Sequence, residues 1–229
     1  MEREQLDFNA EAHALFARLN LAPGTGGARW NDLDAIYTHP ASAATIYVGN
    51  QVAASSLPLL KARGITSVVN CTAGLGALPC YFPAQLAYHV FDVASWQAHT
   101  RNGTDEGVAA FTGGLFSFID AALARGESVL VHCLAGAHRA GTTGVLCLMR
   151  YGRVLDVAQA IAAAKQLRRV IDPIGRLPEL LNRFLRVELA AAAAAAAAAA
   201  PAAGAGGGAG AVAAAPAAAA AAALSSAAK

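Results

Sequence analysis

Apolar and polar positions along the chain follow two periods. From Ile46 onward, short apolar runs rich in β-branched residues alternate with longer stretches of helical spacing. Ile46–Val48 and Leu86–Val93 are predicted as strands, and Ser67–Cys71 and Ser128–Val131 as buried strands. Gln51–Arg63 is predicted as partly helical, interrupted near Pro58 and stopped by Gly64. Val108–Arg125 reads as an amphipathic helix, and further helices are expected at about 139–151, 154–168 and 178–190. Thr72–Pro83 is a Gly- and Pro-rich loop, and Trp96–Gly107 is polar and irregular. Strands alternating with helices predict an α/β fold, a central sheet flanked by helices on both faces.

This domain is expected over residues 43–189, between a lead-in at 1–42 and a tail at 190–229. In the lead-in, Leu6, Ala10, Leu15, Phe16 and Leu19 form an irregular apolar stripe, expected as a helix packed on the domain surface. Pro23–Gly27 breaks it. No strand precedes that turn and no Gly-Lys-Ser/Thr follows, so it is not a phosphate loop. Trp30, Leu33, Ile36 and Tyr37 are expected to anchor the segment. The tail is Ala/Gly/Pro-rich. Its alanines favour extension of the last helix until Pro201 and Gly204–Gly210, with disorder expected beyond.

Composition adds little. The 229 residues are enough for one domain with a substantial core, and the 56% hydrophobic content is inflated by tail alanine. A net charge of +2 without a long basic run makes no case for nucleic acid. The charged N-terminus lacks an apolar segment behind it, so no secretory signal is expected. No uninterrupted, strongly apolar stretch of spanning length stands out, and no membrane association is expected. The four cysteines, Cys71, Cys80, Cys133 and Cys147, fit no zinc spacing and no small disulfide scaffold. A reducing cytoplasmic or nuclear setting is expected, and the chain is expected to act as a monomer with neither metal nor cofactor.

The chemistry concentrates in Val129–Gly144. A buried strand runs into His132-Cys133, then the small-residue loop Leu134-Ala-Gly-Ala-His138, then Arg139 and a helical run. A cysteine facing a helix N-terminus sits among unpaired N–H groups that favour the thiolate. Ala135, Gly136 and Ala137 can curl into an anion nest, and Arg139 offers a planar fork for two phosphate oxygens. A thiolate under such a cradle implies phosphoryl transfer through phosphocysteine. Leu134, Ala135, Gly136, Ala137, His138 and Arg139 are therefore the expected substrate-binding residues, with Cys133 and Arg139 catalytic. His132 reads as a buried, hydrogen-bonded neighbour of the loop, and His138 either lines the mouth or faces solvent. Cys147 and Arg153 share the six-residue spacing, but without a strand, histidine or small-residue loop they read as a structural thiol and a solvated arginine.

The segment resembles the His-Cys-x5-Arg signature of cysteine-dependent protein tyrosine phosphatases, most closely the dual-specificity branch. The resemblance extends over roughly Ile46–Glu188, through Ile46–Asn50, Leu60–Cys71, Phe118–Leu123 and the basic segment Lys165–Arg169. It implies a metal-independent phosphatase acting on phosphotyrosine, with phosphoserine and phosphothreonine as further substrates. Two positions depart from it. Family members commonly carry Ser or Thr after the arginine, where its hydroxyl helps the thiolate leave; here the residue is Ala140, as in the phosphatases of regenerating liver. The general acid Asp is expected at Ser95, leaving Asp92 and Asp105 as candidates. Cys71 resembles the cysteine that, in several relatives, forms a disulfide with the nucleophile on oxidation; a plain core cysteine is the other reading. Peptide mapping after peroxide separates the two. The competing functional reading is a weak or inactive relative that binds phosphorylated partners. A phosphoinositide, phospho-sugar or RNA 5′-triphosphate substrate is disfavoured because Leu134–His138 lacks paired basic residues.

Overall fold

A computed structural model of the chain describes residues 6–18, 31–74, 76–100 and 103–199. The Pro23–Gly27 turn, Leu19, Trp30 and the tail from Ala200 onward lie outside the described residues. The chain divides into two compact units, Met1–Glu188 and Leu189–Lys229.

Five strands form one sheet: β1 (Leu33–Thr38), β2 (Thr45–Gly49), β3 (Ile65–Asn70), β4 (Ala87–Val90) and β5 (Ser128–His132). Their order is β1-β2-β5-β3-β4. β1 is antiparallel to β2, and the other pairs are parallel. β5 lies in the middle and every residue in it is buried, which explains its unbroken apolar run. Val129 and Val131 join one core and Leu130 the other. The first core is closed by α5 (Asp105–Ala124), α6 (Arg139–Tyr151), α7 (Val157–Leu167) and α8 (Leu177–Ala199). The second is closed by α2 (Gln51–Ala54) and α3 (Leu57–Ala62). Helices therefore cover both faces, as expected.

The expected lead-in contributes α1 (Phe8–Arg18) and also β1. Two-residue alternation does not reveal β1, because its register slips between Ala35 and Tyr37. That bulge leaves Leu33 and Ile36, three apart, as the buried positions. Between α2 and α3 the helix breaks at Ser55-Ser56 rather than at Pro58, which sits within the first turn of α3 where a missing N–H costs nothing. The stretch expected to be irregular opens with α4 (Trp96–His99), anchored by buried Trp96 and preceded by a 3-10 turn, Val93–Ser95, where the end of a strand was expected. α5 begins three residues earlier than expected, at Asp105, because Thr104 Oγ1 caps it by accepting from the Gly107 N–H at 3.1 Å. Contrary to the expectation of no apolar stretch of spanning length, α5 could cross a membrane by length and composition. Its Val108, Leu115 and Ile119 are fully buried in the first core, as in a core helix of a globular domain. In the second unit, residues 189–199 are helical, consistent with the propensity of alanine.

Candidate active site

β5 delivers His132 and then Cys133; the loop Leu134–His138 follows, and α6 starts at Arg139. Each carbonyl of this loop is held by another group. Leu134 O accepts from the Gln51 N–H at 3.1 Å and Ala137 O from the Asp172 N–H at 3.0 Å. Ala135 O and Gly136 O accept from the Arg168 guanidinium at 3.2 and 2.9 Å. His138 O accepts from the N–H and the hydroxyl of Thr142. In a trans peptide the C=O and the following N–H point in opposite directions. With the carbonyls held by these partners, the intervening N–H groups are turned away from them, the arrangement an anion nest requires. Gly136 makes the curl possible: its φ is +67°, and an added Cβ would lie 2.5 Å from Gly49 O.

Arg168 was not identified as a site residue. It lies in the basic segment Lys165–Arg169, but nothing in that segment marks it as buried. Its side chain is almost wholly enclosed and also pairs with Asp34 Oδ2 at 2.6 Å and with Asn31 O at 2.9 Å. Burial lowers its pKa, and the charge and hydrogen bond of Asp34 act in the opposite direction.

Cys133 and Arg139 are both buried, 3% and 7% exposed. Arg139 Nη2 donates to Asn9 Oδ1 at 2.5 Å. His138 is buried, not solvent-facing, and its Nδ1 lies 2.7 Å from Asp172 O. That contact makes Nδ1 the protonated nitrogen and ties the loop to the segment after α7. His132 is fully buried, but the expected hydrogen bond to it is not found: neither ring nitrogen has a partner of ordinary geometry. Burial pushes its pKa down to about 4, partly opposed by the Cys133 backbone and reinforced by the Arg139 charge.

This has a consequence for pH. An unfolded histidine titrates near 6.5, so between that value and about 4 the unfolded chain holds a proton that the folded chain lacks. Stability is unaffected by His132 above this window and falls as pH drops through it. The expected loss between pH 7 and 5 is about 2 kcal/mol. Urea midpoints at the two pH values should differ more for the wild type than for His132→Gln; equal differences would remove His132 as the cause.

Thr142 and Thr143 cannot replace the hydroxyl missing at Ala140. Their Oγ1 atoms donate to His138 O at 2.7 Å and Arg139 O at 3.0 Å, one helical turn back. With that proton committed, the thiol of Cys71 is the donor in its 3.4 Å contact with Thr143 Oγ1. Cys71 is fully buried, and burial first, then the nearby Cys133, raise its pKa. Asn70 and His132 are paired across β3 and β5, so Cys71 and Cys133 leave adjacent parallel strands side by side. A strand spacing of about 4.8 Å falls within the Cα separation a disulfide spans. Cys147, deep in α6, has its pKa pushed up to about 12 by burial, and Arg153 pairs with Glu188.

Neither acid candidate is a free carboxyl. Asp92 Oδ2 lies 3.0 Å from His99 Nε2. Asp105 makes two 2.8 Å hydrogen bonds with Arg186, which hold its pKa below the usual carboxylate range. Ser95 sits in the 3-10 turn before α4.

Comparison with known proteins agrees with this architecture. Residues 46–184 match the family described as dual specificity phosphatase, catalytic domain. The chain is 30% identical over 158 residues to dual specificity protein phosphatase 1-B of Xenopus laevis, covering 64% of this chain and 38% of that protein. It is 32% identical over 129 residues to dual specificity protein phosphatase 1 of Arabidopsis thaliana, covering 56% of this chain and 59% of that protein. The chain thus spans less than two thirds of the length of these curated relatives. A leucine rich repeat and phosphatase domain containing protein from Entamoeba histolytica shares the fold, with a TM-score of 0.53 at 18% identity over 70% of this chain and 94% of that one. With the matched region taking in β3, β4, β5, the Cys133 loop and α6, the chain belongs to the dual specificity phosphatase family.

Proposed function

We propose that this chain is a protein phosphatase that hydrolyses phosphotyrosine through a phosphocysteine intermediate, in the cytosol or nucleus. The observation that carries the reading is the loop between Cys133 and Arg139, each of whose carbonyls accepts a hydrogen bond from another residue. Cys133 Sγ, as thiolate, attacks phosphorus; the S–P bond forms as the ester P–O bond breaks, and the leaving phenolate takes its proton from solvent water. The loop N–H groups and Arg139 stabilise the equatorial oxygens. Water then attacks phosphorus, the S–P bond breaks, and phosphate and the thiolate are regenerated.

The state of the acid candidates supports a preference among substrates. A phenol, pKa about 10, leaves with less proton assistance than an alkyl alcohol, and general acid help is worth about 10² to 10⁴. With Asp92 and Asp105 engaged elsewhere, kcat/KM for phosphotyrosine peptides should exceed that for phosphoserine peptides by at least about 100-fold. Similar values on both would refute the preference.

Ala140 bears on the second step. With both neighbouring threonines bonded to carbonyls, no hydroxyl replaces the missing one, and breakdown of phosphocysteine should limit turnover. Ala140→Ser should raise kcat about tenfold, the effect of one hydrogen bond to a charged group, and abolish any pre-steady-state burst. A burst that persists with unchanged kcat would place the slow step elsewhere. The alternative, a relative that only binds phosphorylated partners, would use Arg139 but leaves the retained nucleophile Cys133 without a role.

A further inference from the structure

The loop proposed to bind phosphate is already occupied by the chain itself. α1 lies across it. Ala12 and Leu15, 2% and 5% exposed, form one buried cluster with Ala135 and Ala137 of the loop, edged by Phe16 and Val170. At the start of the helix, Asn9 Oδ1 takes the 2.5 Å hydrogen bond from Arg139, and the guanidinium carbon stands 5.6 Å from the centre of the Phe8 ring. Asn9 is itself held in place. Its amide donates to Gly76 O at 3.2 Å, and its backbone N–H donates to the Asp7 carboxylate at 2.9 Å.

These contacts place an oxygen on the arginine fork and an aromatic ring beside it. An aryl phosphate would present the same two groups to Arg139: a phosphoryl oxygen on the fork and the ring attached to it. The amide is neutral and offers one oxygen, so it is a poor substitute for a dianion that can use the fork twice. It is covalently tethered, however, and the apolar contacts of Ala12 and Leu15 hold it there. Substrate and α1 compete for one donor set.

We infer that α1 is an internal competitor for the phosphate site, so that the chain rests in a self-inhibited state and substrate must displace the helix. The inference rests on the proposed function, because it assigns α1 to the site that function uses. Affinity at the site is then reduced by the fraction of molecules in which α1 is displaced. Anything that weakens α1 docking should raise access to Cys133 and affinity for phosphate together.

The test uses the full chain and a readout independent of turnover: the rate at which iodoacetate alkylates Cys133, mapped by mass spectrometry, with and without inorganic phosphate. Phe8→Ala combined with Asn9→Ala removes the contacts to Arg139. Leu15→Asp loosens the helix while leaving those contacts chemically intact. Both should raise the alkylation rate and phosphate affinity about tenfold. Asn9→Asp, which puts a carboxylate against Arg139, should lower both. Protection by phosphate reports an intact loop, so unfolding is not mistaken for release. Unchanged or slower alkylation in both release variants would overturn the inference and leave the phosphatase reading standing. A loss of aryl phosphate hydrolysis in the release variants would also overturn it, making α1 a wall of the pocket. Faster alkylation without phosphate protection would overturn it too, because α1 would then cover no phosphate site. Faster alkylation that phosphate still prevents, in a wild type and variants that all hydrolyse no aryl phosphate, would uphold the cover and remove the phosphatase reading.

Discussion

Cys133→Ser is expected to lower hydrolysis of p-nitrophenyl phosphate by at least about a thousandfold, as loss of a catalytic nucleophile does elsewhere. The leaving group of this substrate needs no proton, so the assay isolates the sulfur from the question of the acid. Cys133 is 3% exposed, at the end of the most buried strand of the sheet and next to the start of α6. A serine there keeps the volume and the loop geometry, but its hydroxyl is not ionised at neutral pH. Affinity for inorganic phosphate should therefore stay within about threefold of wild type, because the loop N–H groups and Arg139 are untouched. Rapid quenching of the wild type with radiolabelled phosphoprotein should trap a covalent phosphate that Cys133→Ser lacks. A serine variant that retains the wild-type rate would exclude Cys133 as nucleophile. One that loses phosphate affinity as well would assign it a structural role.

Arg168→Met should be nearly as damaging, for a different reason. Arg168 is 3% exposed and supplies hydrogen bonds to Ala135 O, Gly136 O and Asn31 O and the ion pair to Asp34. Methionine fills much of the volume but leaves three carbonyls and one carboxylate without their donor. Breaking a buried ion pair from one side costs about 3–5 kcal/mol, which for a domain of this size lowers Tm by about 10 °C. Freed from Arg168, the Ala135 and Gly136 peptides can rotate, and their N–H groups no longer hold the inward direction on which phosphate binding depends. Hydrolysis should fall by at least about 100-fold, the magnitude of losing a preorganised donor. Asp34→Asn, which weakens only the ion pair, should be milder in both Tm and rate. A methionine variant with wild-type Tm and activity would show that the loop holds its shape unaided.

Much of the site was legible because its parts are close in the chain. Cys133, the loop and Arg139 lie within seven consecutive residues, and a buried strand running into a helix constrains where their backbone groups point. The two cores and the parallel sheet were legible because the strands are continuous apolar runs with helical stretches between them. β1 was not, because its bulge replaces two-residue alternation with a three-residue interval. The acid was not, because the two candidates are taken up by different partners, His99 for Asp92 and Arg186 for Asp105. None of those pairings is encoded by local spacing.

What the sequence determined by itself was the layered fold and the succession of strand, Cys133, loop, Arg139 and helix, since each depends on residue order over short distances. Tertiary structure decided what surrounds them. Arg168 and Asp34 meet across 134 residues, and Asn9 reaches Arg139 across 130. Both contacts exist because hydrophobic burial brings distant segments together; only then do the polar groups on those segments find partners. The same packing that brings Arg168 to the loop carbonyls sets Ala12 and Leu15 of α1 against Ala135 and Ala137.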